Sequence, residues 1–180
     1  MKRLSILIAI FTLACYTDNK MLKGEPIKFQ QTKPIPEDLI PESLSVYDSK
    51  EADINLDNIL DIIIVCEISD TVENKPVLIY FGQSDGEYQL KGRNDKLAFN
   101  GFTGIAVTRN FFTIENRYGT DVTYSTYNHT FKVDNNRILF HRYDDAVYEV
   151  LNWEDGPELN SLETIRAEEL GYPTFEEYKN

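Results

Sequence analysis

The sequence predicts a mainly β protein of the α+β class, with antiparallel strands in a single domain and one short C-terminal helix. Runs rich in β-branched and aromatic residues alternate with clusters of Gly, Asn and Asp, which are typical of turns. Only the last segment has apolar residues near helical spacing. The predicted strands cover residues 60–68, 76–81, 88–90, 111–117, 122–133, 138–143 and 147–153.

The first strong strand signal is the apolar, β-branched run at residues 60–68, which suits a strand covered on both faces. A polar stretch at 70–75 separates this run from a second apolar run at 76–81. We therefore expect the two runs to form a hairpin. Cys66 lies inside the first run, where a buried apolar role is expected for its side chain.

A second hairpin is predicted around residues 134–137, which read Asp-Asn-Asn-Arg. This segment suits a tight turn because Asn accepts a positive φ angle. The flanking segments 122–133 and 138–143 would then pair as antiparallel strands.

This hairpin sets the expected positions of the two histidines of the chain. With the two asparagines at the centre of the turn, His129 faces Arg142 and His141 faces Thr130. Alternation along the strands then puts the histidines on opposite faces of the sheet. They are therefore not expected to share a metal.

The C-terminal segment predicts a helix. Asn160 suits the N-cap position, and Glu163 completes a capping-box pattern. The apolar residues near helical spacing are Leu162, Ile165, Ala167 and Leu170. Gly171 and Pro173 would end this helix.

Length and charge limit the possible functions. The chain has 180 residues, which suits about one domain, and its formal net charge is −12. This charge argues against a nucleic-acid partner, because phosphate backbones are bound by clustered Lys and Arg. The sequence has no nucleophile elbow, zinc-protease motif, phosphate loop or dinucleotide fingerprint. No catalytic residue is predicted.

Residues 1–14 have the pattern of an export signal, with a positive start at Lys2 and Arg3, a short apolar run and a small residue before Cys15. The apolar run is too short to span a bilayer, which needs about 20 residues. The polar segment 15–33 is expected to be a flexible tether, and residues 34–180 are expected to form the domain.

Residues 12–15, Thr-Leu-Ala-Cys, resemble the lipobox of bacterial lipoproteins. The resemblance implies that Cys15 carries lipid and anchors the mature chain in the bacterial cell envelope, at the outer membrane facing the periplasm or at the cell surface. The alternative is a plain secretory signal followed by an unmodified cysteine.

The segment before the first strand is dense in oxygen-bearing side chains. Asp53, Asn55, Asp57 and Asp61 occupy loop positions 1, 3, 5 and 9, and the backbone carbonyl of Ile59 occupies position 7. Calcium suits such a set, because it takes about six to eight oxygen ligands in irregular geometry. The alternative is an acidic turn without metal, in which Asp and Asn side chains bond to their own backbone.

This loop, followed by an apolar strand, resembles the calcium loops of FG-GAP and VCBS repeats over residues 45–85. Asn58 stands where the family has Gly, and Ala52 replaces another common Gly. The resemblance implies an FG-GAP-like hairpin in which the five residues named above bind calcium. The order of features along the chain also resembles a group of uncharacterised bacterial lipoproteins with one such loop.

These observations predict a lipid-anchored, non-catalytic envelope protein with a calcium-stabilised, β-rich binding domain. One alternative is a periplasmic immunity or inhibitor protein that acts on a toxin or an envelope hydrolase. A hydrolase of envelope polymers is a third possibility. Most aromatic residues are expected in the core, and the alternative is an exposed tyrosine face that binds a glycan or a protein.

Overall fold

Strands make up most of the protein in a computed structural model that describes residues 35–68, 74–99, 101–152 and 154–179. The nine strands of this part are β1 (Leu44–Ala52), β2 (Asp61–Ile68), β3 (Asn74–Gly82), β4 (Tyr88–Phe99), β5 (Phe102–Thr108), β6 (Phe111–Gly119), β7 (Thr123–Asp134), β8 (Arg137–Asn152) and β9 (Gly156–Arg166). Two short 3-10 turns cover Glu37–Leu39 and Ala167–Leu170. The prediction of a mainly β protein is confirmed.

The strands form two antiparallel sheets in which neighbours along the chain are neighbours in space. The four-stranded sheet has the order β1-β2-β3-β4, and the five-stranded sheet has the order β5-β6-β7-β8-β9. One hydrophobic core joins the inner faces of the two sheets. Its buried side chains include Ile63, Val65, Ile79 and Phe81 from the first sheet and Phe112, Ile114, Phe131 and Phe140 from the second.

A second, smaller core covers the outer face of the four-stranded sheet. It is formed by Ile62, Ile64, Cys66, Leu78, Tyr80 and Leu39. The Tyr80 hydroxyl donates a hydrogen bond of 2.7 Å to the Leu39 carbonyl, which ties the first 3-10 turn to the sheet. The central strand β2 is therefore buried on both faces, as its continuous apolar run predicts, and Cys66 is buried within it.

The turn between β7 and β8 is confirmed. Asn135 and Asn136 have φ angles of 49° and 59°, which is the left-handed backbone that a two-residue hairpin turn requires. Next to the turn the pairing follows the simple register, with Phe131 opposite Phe140.

The predicted partners of the histidines are wrong, because β8 has one extra residue at a bulge. The register shifts between Thr130 and Phe131, so Thr130 faces Arg142 and His129 faces Tyr143. His141 is the extra residue of this bulge, which leaves it without a direct cross-strand partner. The two histidines still lie on different sides of the sheet, since His129 is buried and His141 is exposed.

The predicted C-terminal helix is also wrong. Residues from Asn160 to Arg166 belong to β9, which pairs along the edge of β8, and only Ala167–Leu170 forms a helical turn. The physical reason is the 16-residue length of β8, which offers a long unpaired edge to the next segment. A strand there satisfies its backbone groups on that edge, and the β-branched Thr164 and Ile165 favour it. Gly171, with a φ angle of 71°, ends the turn as expected.

Segment 147–153 is not a separate strand, since residues up to Asn152 continue β8. Trp153 lies outside the described residues, as do the predicted signal and tether at residues 1–33, including the predicted lipidation site Cys15. Within the described ranges, no helix has the length and apolar character needed to cross a membrane.

The C-terminal tail returns to the core. Phe175 and Tyr178 are buried in it, and the Asn94 side chain donates hydrogen bonds to the carbonyls of both residues. The Phe175 N–H also donates to the Ile138 carbonyl at 3.0 Å. The tail therefore fixes one end of β8 against β4.

Candidate metal loop

The oxygen-rich loop joins β1 to β2, and Asp61 is the first residue of β2. Two non-glycine residues in the loop have left-handed backbone, Leu56 with φ 65° and Asn58 with φ 68°. Asn tolerates this conformation better than most residues, so Asn58 can take a backbone position that otherwise favours glycine. The two left-handed residues wind the loop tightly over its own N–H groups.

Three of the predicted ligands lie together at the exposed mouth of the loop. Asp53 Oδ1 and Asn55 Oδ1 both accept a hydrogen bond from the Asp57 N–H, at 3.1 and 3.0 Å. The Asn55 Nδ2 donates to Asp57 Oδ2 at 2.9 Å. Asp57 Oδ1 also accepts from the Ile59 N–H at 2.8 Å, and Asp53 Oδ2 accepts from the Asn58 N–H at 2.9 Å. The side chains thus stabilise the loop through its own backbone.

Asp61 lies beneath this mouth and is completely buried. Its Oδ2 accepts hydrogen bonds from the N–H groups of Ile54 at 2.9 Å and Asn55 at 3.3 Å, and its Oδ1 accepts from the Gly82 N–H at 3.1 Å. Burial raises the pKa of the Asp61 carboxyl to about 6, although the three N–H donors act to lower it. Asp61 therefore braces the loop from inside and links it to β3.

Gly82 also belongs to the site, and it is not among the residues that the sequence pattern predicts. A Cβ atom at this position would lie 2.4 Å from the Leu60 carbonyl oxygen and 2.7 Å from a methyl group of Ile59. Only glycine lets β3 come close enough for its N–H to reach Asp61. The signal in the sequence is the glycine at the end of an apolar strand, which often marks a close approach of two backbones.

The hydrogen bonds of the loop are those expected for the metal-free alternative, in which Asp and Asn side chains bond to their own backbone. Each of the four predicted side-chain ligands accepts a hydrogen bond from an N–H group of the loop or of β3, namely Asp53, Asn55, Asp57 and Asp61. Ile59 takes part through its N–H, which donates to Asp57. The described ranges contain no group of three or more His, Cys, Asp or Glu side chains arranged to hold a metal. Calcium binding by the five residues stays a prediction. The three residues at the mouth are the ones that fit it best, because their oxygens already lie close together.

The buried histidine cannot act as a solvent-exposed base. His129 is fully buried, with Nδ1 at 3.1 Å from the Tyr178 hydroxyl, and Nε2 has no hydrogen-bond partner in the described part of the chain. Burial lowers the pKa of His129 to about 4. Its place in the core gives it a structural role.

The aromatic residues divide between core and surface. Phe131 and Phe140 are buried, whereas Tyr124 and Tyr148 are half-buried and stack on each other at a centroid distance of 5.2 Å. The expected core role is therefore met by part of the aromatic residues, and binding of a glycan or a protein by surface tyrosines stays a prediction. No protein-family model matches the chain, and comparisons with curated proteins and with solved structures found no significant match.

Proposed function

We propose that the chain is a lipid-anchored protein of the bacterial cell envelope, with a non-catalytic binding domain in which calcium strengthens the loop between β1 and β2. The N-terminal pattern that ends in Cys15 supports the anchor. A lipid anchor of this kind places the domain at the outer membrane or on the cell surface. A tether between anchor and domain then gives the domain reach toward a partner.

The single observation that carries the calcium proposal is the cluster of oxygens at the mouth of the loop. Asp53 and Asn55 oxygens lie within hydrogen-bond distance of one N–H, and Asp57 is bonded to Asn55. None of the loop carboxylates forms an ion pair with a Lys or Arg of the described residues. A divalent cation would relieve the repulsion among Asp53, Asp57 and Asp61.

Calcium would bind at the exposed side of the loop, where Asp57 is open to solvent. Asp53, Asn55 and Asp57 would supply side-chain oxygens, with the Ile59 carbonyl and Asp61 as the remaining predicted ligands. Because Asp61 also holds the Gly82 N–H, an ion in the loop would stabilise the hairpin of β2 and β3. We propose that the hairpin of β2 and β3 is FG-GAP-like, in that calcium bound in the loop before it stabilises it.

The test is the melting temperature of the full chain in excess calcium and in excess EDTA. A ligand at about one hundred times its Kd stabilises the folded state by about 2.7 kcal/mol, so calcium should raise the Tm of the wild type by several degrees. Asp57→Ala should remove most of that increase. Asp85→Ala is the matched control, because Asp85 also accepts a backbone N–H in an exposed turn, outside the loop. Equal Tm values of the wild type with calcium and with EDTA would contradict the calcium proposal.

The anchor is tested separately by fractionation of bacteria that express the chain. Cys15→Ser should move the protein from the membrane to the soluble fraction, because several acyl chains give firm anchoring and none remains. Thr17→Ser, two residues away, should leave the distribution unchanged. Membrane association of the Cys15→Ser variant equal to that of the wild type would argue against lipidation.

One observation favours the alternative of an inhibitor that binds a basic toxin or hydrolase. Two cross-strand pairs between β8 and β9 join like charges, Asp145 opposite Glu163 and Glu149 opposite Glu158. Like charges in this position repel, and a cationic partner would relieve them. A tight one-to-one complex with a basic envelope protein, weakened by salt and by Glu163→Gln, would support this alternative over the leading proposal.

A further inference from the structure

A groove of about 360 Å³ lies on the outer face of the five-stranded sheet, on the side away from the main core. Its walls include Glu115, Arg117, Tyr124, Thr126, Asn128 and Tyr148. These positions alternate along β6, β7 and β8 with the core residues Ile114, His129 and Phe131. The groove is therefore built on three hydrogen-bonded strands, which hold its side chains in fixed positions.

Aromatic rings form one wall of this groove. Tyr124 and Tyr148 are cross-strand partners, and their rings stack at 5.2 Å with 19° between the ring planes. The Arg117 guanidinium carbon lies 3.7 Å from the centroid of the Tyr124 ring. This stack holds Tyr124 between Arg117 and Tyr148, so the groove has a pre-formed wall of ring surface.

Polar side chains stand next to the rings of this groove. The buried Thr126 Oγ1 lines the groove and has no hydrogen-bond partner in the described ranges. A buried hydroxyl without a partner costs stability, and a ligand that supplies a hydrogen bond would recover it. Arg117 and Glu115 form no ion pair within the described part of the chain, so both are available to a ligand.

The charges of the groove decide between classes of ligand. Its charged side chains are one cation, Arg117, and one anion, Glu115, in a chain whose net charge is −12. An anionic ligand would be repelled by the overall field, and a cationic ligand would meet Arg117. A neutral ligand that offers hydroxyl groups to both charges and an apolar face to the rings fits all three features.

We propose that this groove binds a neutral saccharide, with the Tyr148 ring, on its face away from Tyr124, against the apolar face of a sugar ring. Arg117 and Asn128 would donate to its hydroxyl groups, and Glu115 would accept from them. Thr126 would gain the partner that it lacks. This inference rests on the proposed binding function. It names the ligand class and the binding surface, which is distant in sequence from the loop between β1 and β2.

The test is calorimetric titration of the full chain, kept in detergent, with neutral oligosaccharides of glucose, mannose and N-acetylglucosamine. At least one of them should bind the wild type. Tyr148→Leu, which keeps apolar volume but removes the ring, should weaken that binding by about tenfold or more. Tyr118→Ala is the matched control, because Tyr118 is 70% exposed and its side chain alternates to the other face of β6. Its binding should equal that of the wild type.

Absence of binding to every neutral oligosaccharide would overturn the inference, as would equal affinity of the wild type and a folded Tyr148→Leu variant. Stronger binding of acidic than of neutral oligosaccharides would also overturn it, because the net charge of −12 should repel acidic ligands. The anchoring and calcium tests do not involve the groove. A chain that passes both tests and binds no saccharide would leave the proposed function standing and remove this ligand alone.

Discussion

Acid should destabilise the protein through His129, and the structure gives both the sign and the size of the effect. The imidazole is fully buried against the rings of Tyr143 and Tyr178, at centroid distances of 4.9 and 5.6 Å. Nδ1 has a partner, the Tyr178 hydroxyl at 3.1 Å, and Nε2 has none in the described part of the chain. A second proton on the imidazole would therefore place a positive charge in this apolar site, where Nε2 has no acceptor among the described residues.

The pKa of His129 falls from the ordinary value of 6.5 to about 4 in the folded state. Between these two values the unfolded chain binds more protons than the folded chain, so the free energy of unfolding increases with pH in this window. One proton corresponds to a slope of about 1.4 kcal/mol per pH unit. The stability is fully present above pH 6.5, and about 3 kcal/mol of it is lost when the pH has fallen below 4.

The assay is urea unfolding of the wild type and of His129→Gln at several pH values from 4 to 7. The variant keeps a polar group for Tyr178 and does not titrate, so its unfolding free energy should vary less with pH than that of the wild type. His141→Gln is the matched control, because His141 is exposed and is the other histidine of the chain. Identical pH slopes for the wild type and His129→Gln would refute the reasoning, since the carboxylates contribute equally to both.

Three further substitutions examine the brace beneath the loop. Asp61→Ala should lower the free energy of unfolding by about 3 kcal/mol or more, because three N–H groups lose their acceptor. Asp61→Asn should lower it by roughly half as much, because the amide oxygen can accept hydrogen bonds but the amide nitrogen cannot. Urea midpoints measure both, and wild-type stability of Asp61→Ala would contradict the role of the carboxylate. Gly82→Ala should lower the free energy of unfolding by about 2 kcal/mol or more, because the new Cβ would meet the Leu60 carbonyl oxygen at 2.4 Å. An unchanged urea midpoint would contradict that close approach.

The sequence predicted the parts of the fold that local signals determine. The run at β2 has apolar residues on both faces, and a strand with this pattern is stable only where both faces are covered. The turn at Asn135 and Asn136 needs two left-handed residues, and Asn is among the few residue types that accept this. In both cases the residues themselves limit the possible structures, without reference to distant parts of the chain.

The errors come from elements whose structure depends on a distant partner. Residues 160–166 have apolar spacing that suits a helix, and the open edge of β8, which favours a strand there, is not visible in the local pattern. The bulge at His141 is similar, because one extra residue in β8 leaves no local signal and changes the partner of His129 from Arg142 to Tyr143. At both places the pairing between strands, and not the local sequence, determines the structure.

The candidate site combines these two situations, because its local pattern indicates a tight loop whereas one of its contacts depends on β3. A loop with Asp or Asn at positions 1, 3 and 5 places side-chain oxygens on its inner side, where they can meet either a cation or the N–H groups of the loop itself. The same wrapping of the backbone serves both purposes, so the pattern of Asp53, Asn55 and Asp57 indicates a tight loop in either case. The tertiary contact that distinguishes this loop from an isolated turn is the hydrogen bond from Gly82 to Asp61. Because this bond joins the loop to β3, calcium bound at the mouth would stabilise the hairpin through it, whereas an isolated acidic turn would leave β3 unaffected.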